Sequence, residues 1–255
     1  MELSAKQIQK NWNTFRNIIN TEFPTRKDAL NKMYDSLEED ERIQMAPAAG
    51  IEYFHNAFPG GYIEHVLRVY EFSIVTFELW QKMGMIVDNF TLEELQFAAL
   101  HHDLGKVGLP GLGNEHYVPN PSDWHRKNQG KIYKTNPNNP AMTTADMTFY
   151  LLNYYQVPYS ISEMLGIKLT DGLYDENNKY YLAGFDLRTK PRTNIQYILH
   201  HADIMAYRFE FERWAQEGNK FLFANEKANV PKIEPMKSEK KAIDPIKDFD
   251  DFFKN

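Results

Sequence analysis

Four side chains in this sequence have the types and placement to hold a metal ion. His102 and Asp103 stand together in Ala99-Leu100-His101-His102-Asp103-Leu104-Gly105-Lys106, at the end of an apolar helical run. Side by side there, an imidazole nitrogen and a carboxylate oxygen can reach one cation. His65 lies upstream in Gly60-Gly61-Tyr62-Ile63-Glu64-His65, and Asp203 far downstream in Leu199-His200-His201-Ala202-Asp203. Two nitrogens and two carboxylates make a donor set for a hard or borderline divalent ion. The chain contains no Cys, so thiolate ligands, disulfides and Cys nucleophiles are excluded. Each residue alone has a plainer reading. A lone His on a half-apolar helix is more often packed and hydrogen-bonded than metal-bound. Asp203, between Ala202 and Ile204, could be held by a Tyr or Arg. A buried carboxylate must be paired, hydrogen-bonded or bound to a metal, and it is the set of four that favours the ion.

The elements that must position these groups are helices. Ser4 caps a helix expected over about 5–21, with Trp12, Phe15, Ile18 and Ile19 on one face. Pro24 breaks it, and a second helix runs from Thr25 to about Glu38. Residues 1–44 read as an N-terminal helical extension, and 45–61 as a loop. A long amphipathic helix follows from Tyr62 to about Met83 and carries His65 near its start. Thr91 and Glu94 form a capping-box pattern for the helix ending in His102-Asp103. Residues 107–142 are rich in Gly, Pro and Asn, an irregular stretch of a length that is usually functional. Helices are expected over Thr144–Tyr155 and from Ser160 to about Thr170, then a short hairpin over Asp171–Ala183. A last helix opens at Pro191 or Thr193, runs to about Gly218 and carries Asp203. Three helices of a bundle can aim four such groups at one point.

This pattern of His, then His-Asp, then a distant Asp resembles the HD-domain superfamily of metal-dependent phosphohydrolases. The likeness covers roughly residues 45–215. His65-Val66-Leu67-Arg68-Val69 looks like the family's first-ligand helix, and His102-Asp103-Leu104-Gly105-Lys106 is close to its His-Asp-Ile-Gly-Lys form. Leu199-His200-His201-Ala202-Asp203 is similar to its final Asp motif. Ala46-Pro47-Ala48-Ala49, His55-Asn56-Ala57 and Gly60-Gly61 further resemble the HD part of certain 3′-5′ exoribonucleases. The resemblance implies an all-α HD-type bundle and hydrolysis of phosphate esters. The domain would span 45–220, with a linker and tail over 221–255. Binuclear members add two His ligands, which by position would fall near Thr143-Thr144 and Thr170-Asp171-Gly172; this chain has no His at either place. One divalent ion (Mn, Co, Ni, Fe or Zn, with Mg as a further option) on His65, His102, Asp103 and Asp203 is therefore the expected cofactor. A second ion, held partly by Asp103 and His125, is the weaker alternative.

Such an ion polarises a phosphoryl oxygen and lowers the pKa of a bound water. Asp103 would ligate it and orient the water, and Lys106 would face the developing charge. Arg68, one turn after His65, is either a phosphate clamp or a carboxylate's partner. The stretch Asp123–Lys134 is the densest cationic and aromatic patch. Trp124 or Tyr133 could stack on a base there, while Arg126, Lys127 and Lys131 meet phosphates, and His125 is a candidate general acid. An equal alternative is a solvated loop with a packed Trp. His101 points away from the ligands and reads as structural. His200 could lie behind Asp203 and His55 could line the site, whereas His116 and His201 are assigned no role.

The composition is that of an ordinary globular chain, with 255 residues, 42% apolar and 25% charged. A net charge of −6 does not favour a polyanion partner without a local basic patch. The N-terminus lacks the order of a secretory signal and no apolar run approaches membrane-spanning length, so a cytoplasmic protein without membrane contact is the simplest reading. Asp250-Asp251-Phe252-Phe253 resembles the clamp-binding tails of T4-type bacteriophage proteins, which would make residues 248–255 a docking peptide for a sliding-clamp-like partner; a tail folded on its own domain or disordered is the stronger alternative. Four functions remain in play. They are a nucleotide phosphohydrolase, a 3′-5′ exonuclease or phosphodiesterase on short strands or cyclic nucleotides, a di-iron oxygenase, and a non-catalytic binding protein.

Overall fold

A computed structural model describes residues 2–39, 42–109 and 115–217. The segment 221–255 and the docking peptide at 248–255 lie outside the described residues. Among the described residues the chain is helical apart from one strand pair.

Helix α1 (Ala5–Glu22) starts where the Ser4 side chain accepts from the Gln7 amide, and it buries Trp12, Phe15 and Ile19. α2 (Lys27–Glu38) starts two residues later than the sequence predicts and buries Leu30, Met33, Tyr34 and Leu37. The turn α3 (Arg42–Met45) leads into the loop before α4 (Gly61–Lys82). That junction is tight. Gly60 is left-handed at φ +82°, and a Cβ at Gly61 would stand 2.0 Å from the Asn56 carbonyl oxygen. Only glycines let the loop close over the start of α4, the segment that carries His65.

The capping box of Thr91 and Glu94 starts α5 (Leu92–His101), which passes into a 3-10 turn over Leu104–Val107. Next come β1 (Tyr117–Pro119), α6 (Asp123–Gln129) and β2 (Tyr133–Thr135). They are followed by α7 (Thr144–Tyr154), α8 (Ile161–Leu169), α9 (Lys179–Leu182) and α10 (Ile195–Gln216). α4, α5, α8 and α10 pack on one another, and the buried faces of α1 and α2 join the same continuous core. Trp12, Phe15 and Tyr34 sit in one apolar cluster with Val66, Leu100 and Ile198. No helix among the described residues is long and apolar enough to cross a membrane.

The hairpin is not where the sequence reading put it. Residues 171–183 form two 3-10 turns, Gly172–Tyr174 and Glu176–Asn178, and then α9. The Asp175 carboxylate accepts from the Asn177 amide and closes a helical rather than a hairpin turn. The antiparallel pair is β1–β2, in the Gly/Pro/Asn-rich stretch, with Tyr117 opposite Thr135 and Pro119 opposite Tyr133. Backbone bonds from the Asn120 amide to Ile132 O (2.9 Å) and from the Asn136 amide to His116 O (2.8 Å) pin its ends.

One buried ion pair ties the N-terminal helices to the bundle. The Arg26 guanidinium donates to both Glu163 oxygens, at 2.9 and 2.5 Å, and lies 3.9 Å from the Phe97 ring centroid. The Glu163 side chain is 1% exposed. Removing one partner strands a buried charge. Arg26→Met is expected to destabilise the fold by about 3 kcal/mol, measured as a shift of the urea unfolding midpoint at constant slope.

Candidate metal centre

Three separate elements bring the four groups together. His65 lies one turn inside α4. His102 and Asp103 follow directly on α5, at the bend into the 3-10 turn. That bend is fixed from α7: the Gly105 amide donates to Thr148 Oγ1 at 2.9 Å, and a Cβ at Gly105 would fall 2.3 Å from the Thr144 carbonyl oxygen. Asp203 comes from the middle of α10. His65 Nε2 stands 3.1 Å from Asp203 Oδ1 and 3.7 Å from Asp103 Oδ2. His102 Nε2 stands 3.4 Å from Asp103 Oδ2 and 3.8 Å from Asp203 Oδ1. One ligand atom each from His65, His102 and Asp203 lies within 4.8 Å of the others, as does one each from His55, His65 and Asp103.

The hydrogen bonds behind the rings fix which nitrogens are free. His102 Nδ1 faces the Ala99 carbonyl oxygen at 2.8 Å, and His65 Nδ1 faces Glu210 Oε2 at 3.1 Å. A carbonyl and a carboxylate only accept, so each Nδ1 carries its proton and donates. Each Nε2 then presents a lone pair. Both Nε2 atoms are buried and make no hydrogen bond. Lone pairs gathered with two carboxylates repel one another unless a cation lies among them. These residues therefore fit a divalent metal ion, with Glu210 holding His65 in the ligating orientation.

A proton can take that role instead, and the titration behaviour shows it. Burial works against charge on His65, but Glu210 and Asp203 outweigh it and raise its pKa to about 10. His102 is also raised, Asp103 overcoming the same penalty. Burial would lift Asp103, yet Lys106 and His102 hold it well below the usual carboxylate range. Asp203 is lowered against its burial by the two imidazoles. Lys106 Nζ lies 2.5 Å from Asp103 Oδ2, which keeps it charged, and 3.2 Å from His55 Nε2, to which it donates. His55 is held well below its ordinary value by burial and then by Lys106, so it is neutral and can accept. Its ring lies against His65, with centroids 4.7 Å apart.

Behind the centre stands an ionic network in which Arg68 is a carboxylate's partner, one of its two expected roles, and whose Glu210 the sequence does not single out. The fully buried Glu210 carboxylate accepts from both His65 and Arg68. Arg68 also donates to Glu64 at 3.2 Å, and Arg213 to Glu64 at 2.6 Å and to Asn56 Oδ1 at 3.2 Å. Arg68 is thus taken up by carboxylates and has no free fork for a phosphate. The signal for Glu210 was its place seven residues after Asp203, two turns along the same helix face. Asp171, at the end of α8, also lies in the field of the centre: burial, then Asp103 and Asp203, raise its carboxyl.

The residues expected to bind substrate scatter. Among the described residues none of Trp124, His125, Arg126 and Lys131 contacts the His–Asp cluster. Trp124 is 59% exposed and packs on the exposed His125 ring. Arg126 is engaged by Asp123 and by the Asn120 carbonyl oxygen, and Lys131 is exposed. Tyr133 alone lines a cavity shared with Lys106. His101 is a core residue, bonded to Phe97 O and Tyr34 Oη at 2.7 Å each, and burial lowers its pKa to about 3. His200 Nδ1 is bonded to the Thr170 carbonyl oxygen at 2.6 Å.

Comparison of the chain with protein-family models, with curated proteins and with solved structures finds no match. The geometry supports a metal-dependent catalytic site in general, with one divalent ion.

Three measurements follow from this geometry. In metal-free protein the His65 pKa is about 10 when folded, against an ordinary value of 6.5. A raised pKa stabilises fully below the unfolded value and fades as pH climbs to the folded one. The unfolding midpoint of metal-free protein is therefore expected to fall between pH 7 and 10, and His65→Gln to flatten that fall. Protons and metal compete for the same nitrogen, so Mn²⁺ affinity measured by calorimetry should rise over the same window. Glu210→Gln leaves the ligands in place and is expected to weaken Mn²⁺ binding by about 10- to 100-fold.

Proposed function

We propose that the protein is an HD-type phosphohydrolase that cleaves phosphate esters of nucleotides by metal-assisted attack of water. One observation carries this reading: two buried imidazole Nε2 lone pairs, each oriented by a bond behind its ring, converge with Asp103 and Asp203 from separate helices. That order of ligands along the chain is the order in the HD superfamily. On an ion that takes six ligands, such as Mn²⁺, four protein donors would leave room for a phosphoryl oxygen and a water.

A divalent ion bound there supplies Lewis acidity toward the phosphoryl oxygen and the attacking water. The chain's own groups do the rest. Asp103 sits beside both imidazoles and can accept a hydrogen bond from the water, orienting it. Lys106 keeps its charge through Asp103 and is aimed at the same place, where it meets the charge that grows on the phosphoryl oxygens. His55, neutral and in contact with Lys106, steadies the ammonium from the other side. The buried helices around the cluster keep bulk water from weakening these interactions.

The low density of free cations favours a small substrate over an oligonucleotide. Arg68 and Arg213 are committed to Glu64 and Glu210, Arg126 of α6 is held by Asp123 and the Asn120 carbonyl oxygen, and Lys127 faces solvent. Chelation is expected to abolish hydrolysis and Mn²⁺ to restore it. Asp103→Asn should fold and have no activity, and Lys106→Met should lower kcat by about 100-fold. A panel of mononucleotides set against a labelled oligonucleotide checks the substrate class. Rapid shortening of the oligonucleotide with no mononucleotide turnover would favour the exonuclease reading, and unchanged hydrolysis by Asp103→Asn would remove the metal site from the mechanism.

A further inference from the structure

A cavity of about 170 Å³ lies between the β1–β2 pair and the 3-10 turn, and Lys106 forms part of its wall. The same lysine touches Asp103, so its side chain stands between the cavity and the metal centre. Tyr117, Pro119 and Tyr133 line it from one face of the strand pair: the register sets Pro119 opposite Tyr133, and Tyr117 is two residues from Pro119. His116 lines it too. This ring is 8% exposed, and its Nδ1 is buried without a hydrogen-bond partner. The ring lines the cavity by its other atoms. The His116 ring packs edge-on against Tyr117, at 4.5 Å between centroids. Burial and Lys106 lower its pKa to about 4, so it is neutral at pH 7 and offers uncharged hydrogen bonding. Lys106 is the one cationic side chain on the described wall, and Glu115 stands on it as well.

We propose that this cavity receives the aromatic group of a phosphate monoester, a single nucleobase-sized heterocycle, packed between Tyr117, Tyr133 and the His116 ring while its phosphate lies at the His–Asp cluster. The inference rests on the phosphohydrolase reading and sharpens its substrate. The cavity is smaller than the roughly 300–1,000 Å³ of drug-sized pockets, which suits one flat ring system. A triphosphate would bring several more negative charges to a wall with one ammonium, already shared with Asp103. Nucleoside monophosphates are therefore substrates and triphosphates are not. His116 and Tyr117 become specificity residues, although the sequence assigned them none.

The test uses the full chain loaded with Mn²⁺, and three probes: adenosine 5′-monophosphate, ribose 5-phosphate and adenosine triphosphate. Binding is read by calorimetry and turnover by phosphate release. The monophosphate should bind at least about tenfold more tightly than ribose 5-phosphate, the scale of one base–aromatic stack. His116→Ala and Tyr117→Leu should erase that preference and leave ribose 5-phosphate unchanged. Tyr133→Leu is the second probe of the wall, for the case in which Tyr117→Leu disturbs β1, and Mn²⁺ affinity identifies variants whose centre is intact. Equal affinity of wild-type protein for both monophosphates would overturn the proposal, as would equal loss on both in the variants or binding of the triphosphate as tight as that of adenosine monophosphate. Absence of any phosphate release, with the base preference and its loss in His116→Ala still present in binding, would sink the hydrolase reading and leave the cavity assignment standing.

Discussion

The arrangement depends on a repulsion that a bound cation, or a proton on His65, relieves. Two imidazole lone pairs and two carboxylates meet in a buried space, and nothing in the protein's own hydrogen bonding satisfies the nitrogens. The fold accepts that cost because the groups behind the cluster compensate it. Glu210 holds His65, Arg68 offsets Glu210, Glu64 offsets Arg68, and Arg213 closes the chain onto Asn56 in the loop before α4. Buried ion pairs of this kind contribute little net stability, because desolvation offsets the attraction. Their value here is positional. They lock α4, α10 and the preceding loop into the one arrangement that aims His65 at Asp103 and Asp203.

On the other side of the cluster the compensation is different. Asp103 faces a tethered ammonium from Lys106 as well as the two imidazoles. His55 shares the ammonium, and burial keeps that ring neutral. The centre is asymmetric as a result, with a carboxylate and a lysine toward the β1–β2 cavity and a carboxylate and a glutamate-backed imidazole toward α10.

Much of this was legible before any coordinates. The helix starts were readable because Ser4, Thr91 and Ser160 place an oxygen where orphan amides need one. His65, His102, Asp103 and Asp203 stand out in the sequence only as a set, through their likeness to the HD pattern, because each alone has a plainer reading. Glu210 does not stand out, because a glutamate inside a helix of mixed character looks like a solvated residue until the opposing Arg68 and His65 are seen. The hairpin was misplaced because Tyr180-Tyr181 carries strand propensity while the local Asp175 turn chemistry decides for helix. For the basic stretch 123–134 composition leaves a phosphate surface and a solvated loop equally open; in three dimensions Arg126 is spent on its own helix and the preceding loop, and of this stretch only Tyr133 lines the cavity beside Lys106. His116 gave no signal because a histidine in a Gly/Pro/Asn-rich stretch has no periodic neighbours to reveal which way it faces.

Asp203 and Glu210 sit two turns apart on α10, one reaching the cluster directly and the other steering a ring on α4. Any axial slip of that helix would displace both at once. His102 and Asp103, carried by α5, would stay in place while the ion lost Asp203 and the steering of His65 together, so metal affinity would report the registry of α10.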